Sequence, residues 1–313
     1  MPSTPLIHVL HENDAWLPPL RARLAARGLA YTEWHLGGDW SLDLDATPPE
    51  GVFYNRMSAS SHTRGHRFAP EITAGVLAWL EAHGREVVNG TRAIDIEISK
   101  ARQYAALRAA GIATPRTLAA TGRDAIAAAI ARFDGPLVLK PNRGGKGLGV
   151  RRFDTQSQAL AHLDSPDFDT GIDGITLVQD FVVASDGAVT RAEFVGGRLV
   201  YTVRIETGGA VELCPADVCQ VPDQAGPVFT IVDDVEPDYI RRLEAFTRQA
   251  GLDVVGIEFV RDGSGTPFAY DVNTNTNYNA LAEAADVRSG MDAIAAFLGE
   301  RLQRAAKSRL RAA

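Results

Sequence analysis

A glycine-rich segment between two strand-like runs is the feature that most narrows what this chain can fold into. Residues 142–149 read Asn-Arg-Gly-Gly-Lys-Gly-Leu-Gly, after the apolar run 137–139 and before the run 150–153. Walker loops and dinucleotide-binding glycine motifs both open a helix, so this position argues against them. A glycine-rich hairpin can lie over phosphates, because its backbone N–H groups are not obstructed by side chains. Taken by itself, the segment is also compatible with a flexible hairpin that binds nothing.

Lysine is rare in this chain, which draws attention to the places where it occurs. Only four of the 32 basic residues are lysines, and three of them are Lys100, Lys140 and Lys146. A lysine ammonium is a compact charge that suits phosphate oxygens. The position of Lys140 at the end of a predicted strand, next to the glycine-rich hairpin, favours a phosphate site, with chance as the alternative.

A second predicted hairpin carries a cluster of oxygen ligands. Strands over 254–260 and 267–272 are joined by an Asp-Gly-Ser-Gly turn at 262–265. Asp271 and Asn273 are two residues apart and therefore share one face, and Glu258 can lie on the same face of the adjacent strand. Two carboxylates and an amide oxygen suit Mg²⁺, which binds few protein ligands and completes its shell with substrate phosphates. The alternative is a polar outer face of an antiparallel sheet.

The remaining pattern predicts an α/β (α+β) fold. Strands and helices alternate over residues 1–88, which predicts a small open sheet. One long helix is predicted over 91–110, and Gly111 ends it. The pattern then becomes antiparallel, with predicted strands over 175–183, 188–195 and 198–206.

Composition limits the partners and the compartment. The net charge of −7 makes nucleic acid an unlikely partner, and no apolar run approaches the roughly 20 residues that cross a membrane. Two cysteines in 313 residues predict a reduced, cytoplasmic setting. Cys214 and Cys219 have no second Cys or His pair nearby in sequence, so we expect no zinc there.

In this order along the chain, the features resemble the ATP-grasp superfamily, and most closely its RimK-type carboxylate–amine ligases. The resemblance spans about residues 50–290. It implies an N-terminal Rossmann-like lobe (1–88), a central subdomain with the glycine-rich loop (89–174) and a C-terminal subdomain with the metal site (175–313). The two α+β subdomains would clamp ATP between them.

The resemblance also implies roles for individual residues. ATP would contact two phosphate lysines, the glycine-rich loop and an adenine-binding linker: Lys100, Lys140, Gly144, Gly145, Lys146, Gly147, Gln179, Asp180, Phe181 and Val182. The metal ligands would be Glu258, Asp271 and Asn273, with Mg²⁺ as the ion and Mn²⁺ as an alternative. Arg191 and Arg204 would be the catalytic arginines. The substrate would contact Asn55, Arg56 and Asn275.

The sequence departs from the family pattern in three places. Many relatives carry Asp-x-Arg where this chain has Val189-Thr190-Arg191, so the ribose ligand is open and Asp186 is the candidate. Residues 274–279 replace a common Ser-Ser-Pro-Gly segment, so substrate specificity cannot be transferred. Residues 212–219 depart from the relatives' basic stretch.

The implied activity is ATP-dependent amide formation. A carboxylate of an amino acid or peptide would form an acyl-phosphate, which an amine then attacks, releasing ADP and phosphate. Partners would be small molecules, with a homodimer left open. The alternatives are an ATP-grasp phosphotransferase that makes no amide and a nucleotide-binding scaffold without turnover.

Overall fold

The computed structural model describes residues 5–145, 147–206 and 228–312, and it builds a mixed α/β fold on three sheets. The predicted α/β (α+β) class is confirmed. No helix within the described ranges is long and apolar enough to cross a membrane.

The first sheet is parallel and belongs to the N-terminal part of the chain. Its elements are β1 (Leu6–His11), α1 (Pro18–Ala26), β2 (Tyr31–His35), β3 (Gly51–Asn55), α2 (Ala69–Ala82) and β4 (Glu86–Val88). The strand order is β2-β1-β3-β4, with every neighbouring pair parallel. All four strands therefore end at one edge of the sheet, where polar side chains can gather.

The second sheet is antiparallel and carries the glycine-rich segment. Its elements are β5 (Thr117–Ala120), α5 (Arg123–Ile130), β6 (Leu137–Pro141), β7 (Arg151–Phe153), α6 (Gln156–Leu163) and β8 (Thr176–Asp180). The order is β5-β8-β6-β7, and α5 and α6 bury Ile126, Ile130 and Leu163 against it. The glycine-rich segment connects β6 to β7, as the sequence predicts.

The third sheet is antiparallel and follows the order β11-β10-β9-β12-β13. Its strands are β9 (Ala188–Val195), β10 (Arg198–Glu206), β11 (Val228–Val232), β12 (Val254–Arg261) and β13 (Pro267–Asn273). The later helices are α7 (Pro237–Ala250), α8 (Ala280–Ala284) and α9 (Gly290–Ala312). Neither β11 nor α8 was predicted from the sequence.

The predicted single helix over 91–110 is wrong, because the chain forms two helices there. They are α3 (Thr91–Glu97) and α4 (Lys100–Ala109), separated by Ile98 and Ser99. Ser99 adopts an extended backbone, and its side chain accepts a hydrogen bond from the backbone N–H of Arg102. This N-cap starts a new helix with Lys100 as its first residue.

Two helices that precede and follow the strands of the third sheet in the chain, α4 and α9, pack against this sheet. Residues of α4 pack with β9, β12 and β13 in one core, and α9 lies against α1, β3 and β9 in another. The first sheet is thereby joined to the third. The subdomain boundaries after residues 88 and 174 stay predictions.

Candidate active site

A cleft between the second and third sheets collects most of the predicted site. Its walls come from α4, β6, β8, β12 and β13, and the glycine-rich segment forms one side. The predicted site residues that line it are Lys100, Lys140, Gly144, Gly145, Gly147, Gln179, Asp180, Phe181, Val182, Glu258, Asp271 and Asn273.

Two lysines enter this cleft from different elements. Lys100 opens α4, and its Nζ donates a hydrogen bond to Oδ1 of Asp271. Lys140 lies near the end of β6 and is 5% exposed, and its Nζ donates to the hydroxyl of Tyr104. Burial, reinforced by the charge of Lys100, lowers the pKa of Lys140 to about 7. An anion in the cleft would therefore stabilise the protonated form of Lys140.

The three predicted metal ligands lie together on the β12–β13 pair. Glu258 is directly opposite Asp271 in the register, and Nδ2 of Asn273 lies 3.3 Å from Oδ2 of Asp271. Burial raises the pKa of Glu258, whereas Lys100 lowers that of Asp271 despite its burial. All three side chains offer oxygen ligands, and a bound cation would stabilise the ionised forms of the two carboxyl groups. These residues therefore fit Mg²⁺.

The glycine-rich segment has backbone geometry that favours glycine. Gly147 and Gly149 have φ of +71° and +74°, a region that residues with a Cβ rarely adopt. A Cβ at Gly145 would lie 3.0 Å from Cβ of Ser60, so the loop approaches the N-terminal lobe closely. The predicted phosphate ligand Lys146 lies outside the described residues.

The predicted adenine linker follows β8. Gln179 is buried, and its Nε2 donates to Oγ1 of Thr117 at 2.7 Å. The backbone N–H groups of Asp180 and Phe181 donate to carbonyls of neighbouring segments. Among the described hydrogen bonds this leaves the N–H of Val182 as the linker donor that could face an adenine edge.

Arg191 is buried next to the predicted metal ligand Glu258, and its guanidinium has three hydrogen-bond partners. Its guanidinium donates to Glu193 at 2.6 Å, to Glu258 at 2.7 Å and to Oγ1 of Thr276 at 2.6 Å. A Cβ at Gly256 would lie 2.3 Å from its Nη2, so glycine leaves the space that the guanidinium fills. Arg191 therefore positions the Glu258 carboxylate, and it does not itself line the cleft.

Two further predicted residues contact each other. Nη1 of Arg204 donates to Oδ2 of Asp186 at 2.6 Å, and neither residue lines the cleft. The ribose role of Asp186 and the catalytic role of Arg204 stay predictions.

The predicted substrate residues bring the first sheet next to the segment after β13. Arg56 is 2% exposed, and its guanidinium donates to Oδ1 of Asn277 at 2.9 Å and Oδ1 of Asn275 at 3.3 Å. A further contact joins it to the carbonyl of Thr276 at 3.5 Å. Within the described ranges, no carboxylate forms an ion pair with Arg56. All its polar partners are neutral, so a buried cation is left without a counter-charge.

Asn55 has a local role. Its Nδ2 donates to the carbonyl of Asn89 at 2.9 Å, and its Oδ1 accepts from the N–H of Met57 at 2.9 Å. Both ends of this side chain are engaged within the protein, so direct substrate contact by Asn55 would require these bonds to break.

The sequence did not reveal three residues that hydrogen-bond to predicted site residues, namely Glu193, Tyr104 and Thr276. Glu193 follows Arg191 by two residues on β9, so the period of a strand could have indicated that they share a face. Tyr104 and Thr276 carry no such signal, because their contacts depend on the packing of distant segments. Cys214 and Cys219 lie outside the described residues.

Comparison with known proteins finds relatives in sequence and in structure. No protein-family model matches the chain. A probable alpha-L-glutamate ligase 1 of Pseudoalteromonas atlantica is 28% identical over 226 residues, covering 71% of this chain and 70% of the relative.

Solved structures match over nearly the whole chain. A RimK domain ATP-grasp protein from Sphaerobacter thermophilus matches with a TM-score of 0.67 at 21% identity, covering 93% of this chain and 98% of the other. The ATP-grasp ligase PsnB, complexed with minimal precursor, Mg and ADP, matches with a TM-score of 0.66 at 16% identity, covering 96% and 98%. At these identities the likeness shows a common fold.

Proposed function

We propose that the chain is an ATP-grasp ligase of the RimK type that uses ATP to join a carboxylate to an amine through an acyl-phosphate. One observation carries the proposal: a single cleft holds two lysines and three oxygen ligands beside a glycine-rich loop. These residues are Lys100, Lys140, Glu258, Asp271 and Asn273. Such a cleft is suited to the crowded negative charge of a triphosphate.

ATP and Mg²⁺ fit this cleft. Glu258, Asp271 and Asn273 would hold the ion, which when bound neutralises charge on the phosphate oxygens. Mn²⁺ accepts the same oxygen ligands and stays an alternative. Lys100 and Lys140 would contact phosphate oxygens, and the loop beside them would limit the access of water.

The reaction needs positioning and charge more than a protein nucleophile. An oxygen of the substrate carboxylate attacks the γ-phosphorus while the bond to ADP breaks. The amine nitrogen then attacks the carbonyl carbon of the acyl-phosphate, inorganic phosphate leaves, and the nitrogen loses a proton. With Arg191 engaged by two acids, its part in our mechanism is to hold Glu258 in place.

The substrate is proposed to be an amino acid or a short peptide. Arg56 supports this class, because a buried guanidinium without an acidic partner favours an anionic group such as a carboxylate. Reaching Arg56 would require rearrangement of the segment at Asn275–Asn277, which now covers it. A homodimer stays open, and the cytoplasmic location stays a prediction.

The decisive experiment measures ADP release over a panel of amino acids and short peptides and identifies the products by mass spectrometry. ADP together with an amide supports the ligase. ADP with a stable phosphorylated substrate would indicate a phosphotransferase, and nucleotide binding without ADP would indicate a scaffold. Lys140→Ala should abolish ADP release, whereas Lys307→Ala, at an exposed lysine on α9, should not alter it.

A further inference from the structure

Histidines and carboxylates gather where β1 and β2 end, away from the residues that line the nucleotide cleft. His11 is the last residue of β1 and His35 the last of β2, and the parallel register places them side by side. Their ring centroids are 5.1 Å apart. Glu33 is on β2 two residues before His35 and so shares its face, and Asp14 lies in the turn after β1.

His11 is the least satisfied member of this group. It is 2% exposed, and neither of its ring nitrogens has a hydrogen-bond partner within the described part of the chain. A buried polar group without a partner is destabilising and calls for an explanation such as an ion. A neutral imidazole at this position would offer a lone pair to a cation.

The distances among these groups are close to those of a metal site. Nε2 of His11 lies 3.8 Å from Oε2 of Glu33, and Nε2 of His35 lies 3.8 Å from Oδ2 of Asp14. One ligand atom each from His11, Asp14 and Glu33 lies within 4.8 Å of the others. Tetrahedral zinc ligands, at 2.0–2.1 Å from the ion, are about 3.4 Å from one another. Small side-chain movements would therefore close the site.

We propose that His11, Asp14, Glu33 and His35 bind one divalent transition-metal ion of the Zn²⁺ type at this edge of the first sheet. Two imidazoles and two carboxylates are a mixed nitrogen–oxygen donor set that suits Zn²⁺ better than Mg²⁺.

Arg21 contacts two of the proposed ligands from outside the site. Its guanidinium donates to both oxygens of Glu33, each at 2.7 Å, and its Nη2 donates to Oδ1 of Asp14 at 3.4 Å. An ionised carboxylate has about four lone-pair positions, so a bidentate arginine leaves room for a metal bond. Arg21 therefore fixes the orientation of Glu33, and its positive charge weakens the affinity for the ion.

The test is equilibrium dialysis of the full chain, stripped of metal and then exposed to Zn²⁺ in excess Mg²⁺, which would compete for the oxygen ligands of the cleft. We expect one Zn²⁺ per chain in the wild type and binding at least tenfold weaker in His11→Ala. Co²⁺ in place of Zn²⁺ should give a visible spectrum of nitrogen-bound, tetrahedral cobalt, and His11→Ala should lose it.

Two further variants make the result decisive. His83→Ala is the matched control, because His83 is exposed and its Nδ1 lies 2.9 Å from the carbonyl of Trp79. Asp14→Ala removes a ligand whose side chain is 69% exposed, so it decides the matter if His11→Ala does not fold. No stoichiometric Zn²⁺ in the wild type, or undiminished binding in folded variants of both ligands, would overturn the proposal. None of these measurements uses ADP release, so their failure would leave the ligase proposal untouched.

Discussion

Two buried arginines that contact the same residue lie in opposite electrostatic surroundings. Arg191, on β9 of the third sheet, donates a hydrogen bond to Oγ1 of Thr276. Arg56, directly after β3 of the first sheet, contacts the carbonyl of Thr276. Arg191 is paired with Glu193 and Glu258. Burial by itself would lower the pKa of Arg191, yet these two acids raise it above its ordinary value. Among the described residues, the hydrogen-bond partners of Arg56 are amide and carbonyl oxygens and the sulfur of Met291, all of them neutral.

This difference separates a charge used by the fold from a charge available to a ligand. A buried cation with acidic partners has its desolvation cost offset within the protein. A buried cation without them retains part of that cost until an anion binds. The region around Arg191 is therefore expected to govern stability, and the region around Arg56 to govern affinity for an anionic substrate.

The largest expected effect is on stability, in Arg191→Met. The substitution leaves Glu193 and Glu258 buried without their cation, and the expected loss is about 3–5 kcal/mol of unfolding free energy. Urea unfolding at neutral pH measures it. Arg56→Met leaves no buried carboxylate unpaired and should cost clearly less. Equal losses for the two variants would contradict the comparison.

Asp271→Asn should have the next largest effect, this time on turnover. Asp271 binds Lys100 and is also one of the proposed metal ligands. Its replacement should lower ADP release about 10²- to 10³-fold at saturating Mg²⁺. Asp238→Asn, at an exposed aspartate on α7, is the control and should behave as the wild type. Superimposable Mg²⁺ titrations of Asp271→Asn and wild type would remove the metal site from the proposed mechanism.

Arg56→Met should change substrate affinity more than turnover. Loss of a charge-assisted hydrogen bond costs about 1.5–3 kcal/mol, so KM for the anionic substrate should rise roughly 10- to 100-fold. Steady-state kinetics with the substrate found in the ADP screen measures it. Arg102→Met, at a surface arginine on α4, serves as control. An unchanged KM in Arg56→Met would mean that Arg56 does not bind the substrate.

Counted per pH unit, the smallest expected effect is a pH dependence of stability caused by Lys140. Its pKa is lowered from 10.5 to about 7 in the folded protein, so the unfolded chain binds more protons between those values. Stability should therefore rise with pH across this window, by at most about 1.4 kcal/mol per unit from this group. Below pH 7 its unfavourable contribution is fully present. Urea unfolding from pH 7 to 9 should show a shallower rise for Lys140→Met than for wild type, and parallel curves would contradict it.

Local sequence patterns were sufficient to predict many of the residues that line the proposed nucleotide-binding cleft. Asp271 and Asn273 share a face because strand side chains alternate, and the Asp-Gly-Ser-Gly turn at 262–265 brings Glu258 opposite them. The hairpin position of residues 142–149 also follows from its flanking strand patterns. The division of the helix at Ser99 was missed, although a serine N-cap is a recognisable signal, because the apolar spacing continued through it.

The sequence by itself determined which residues could act as ligands, because strand period, glycine content and the scarcity of lysine are properties of neighbouring positions. Only the tertiary structure decided which charges are compensated. Arg56 contacts Asn277, which lies 221 positions later in the chain, and Arg191 contacts Glu258, 67 positions later. Arg204 forms an ion pair with Asp186. Whether a charge is paired depends on distances of a few ångströms and on exclusion of water, and both arise only when segments far apart in the chain pack together.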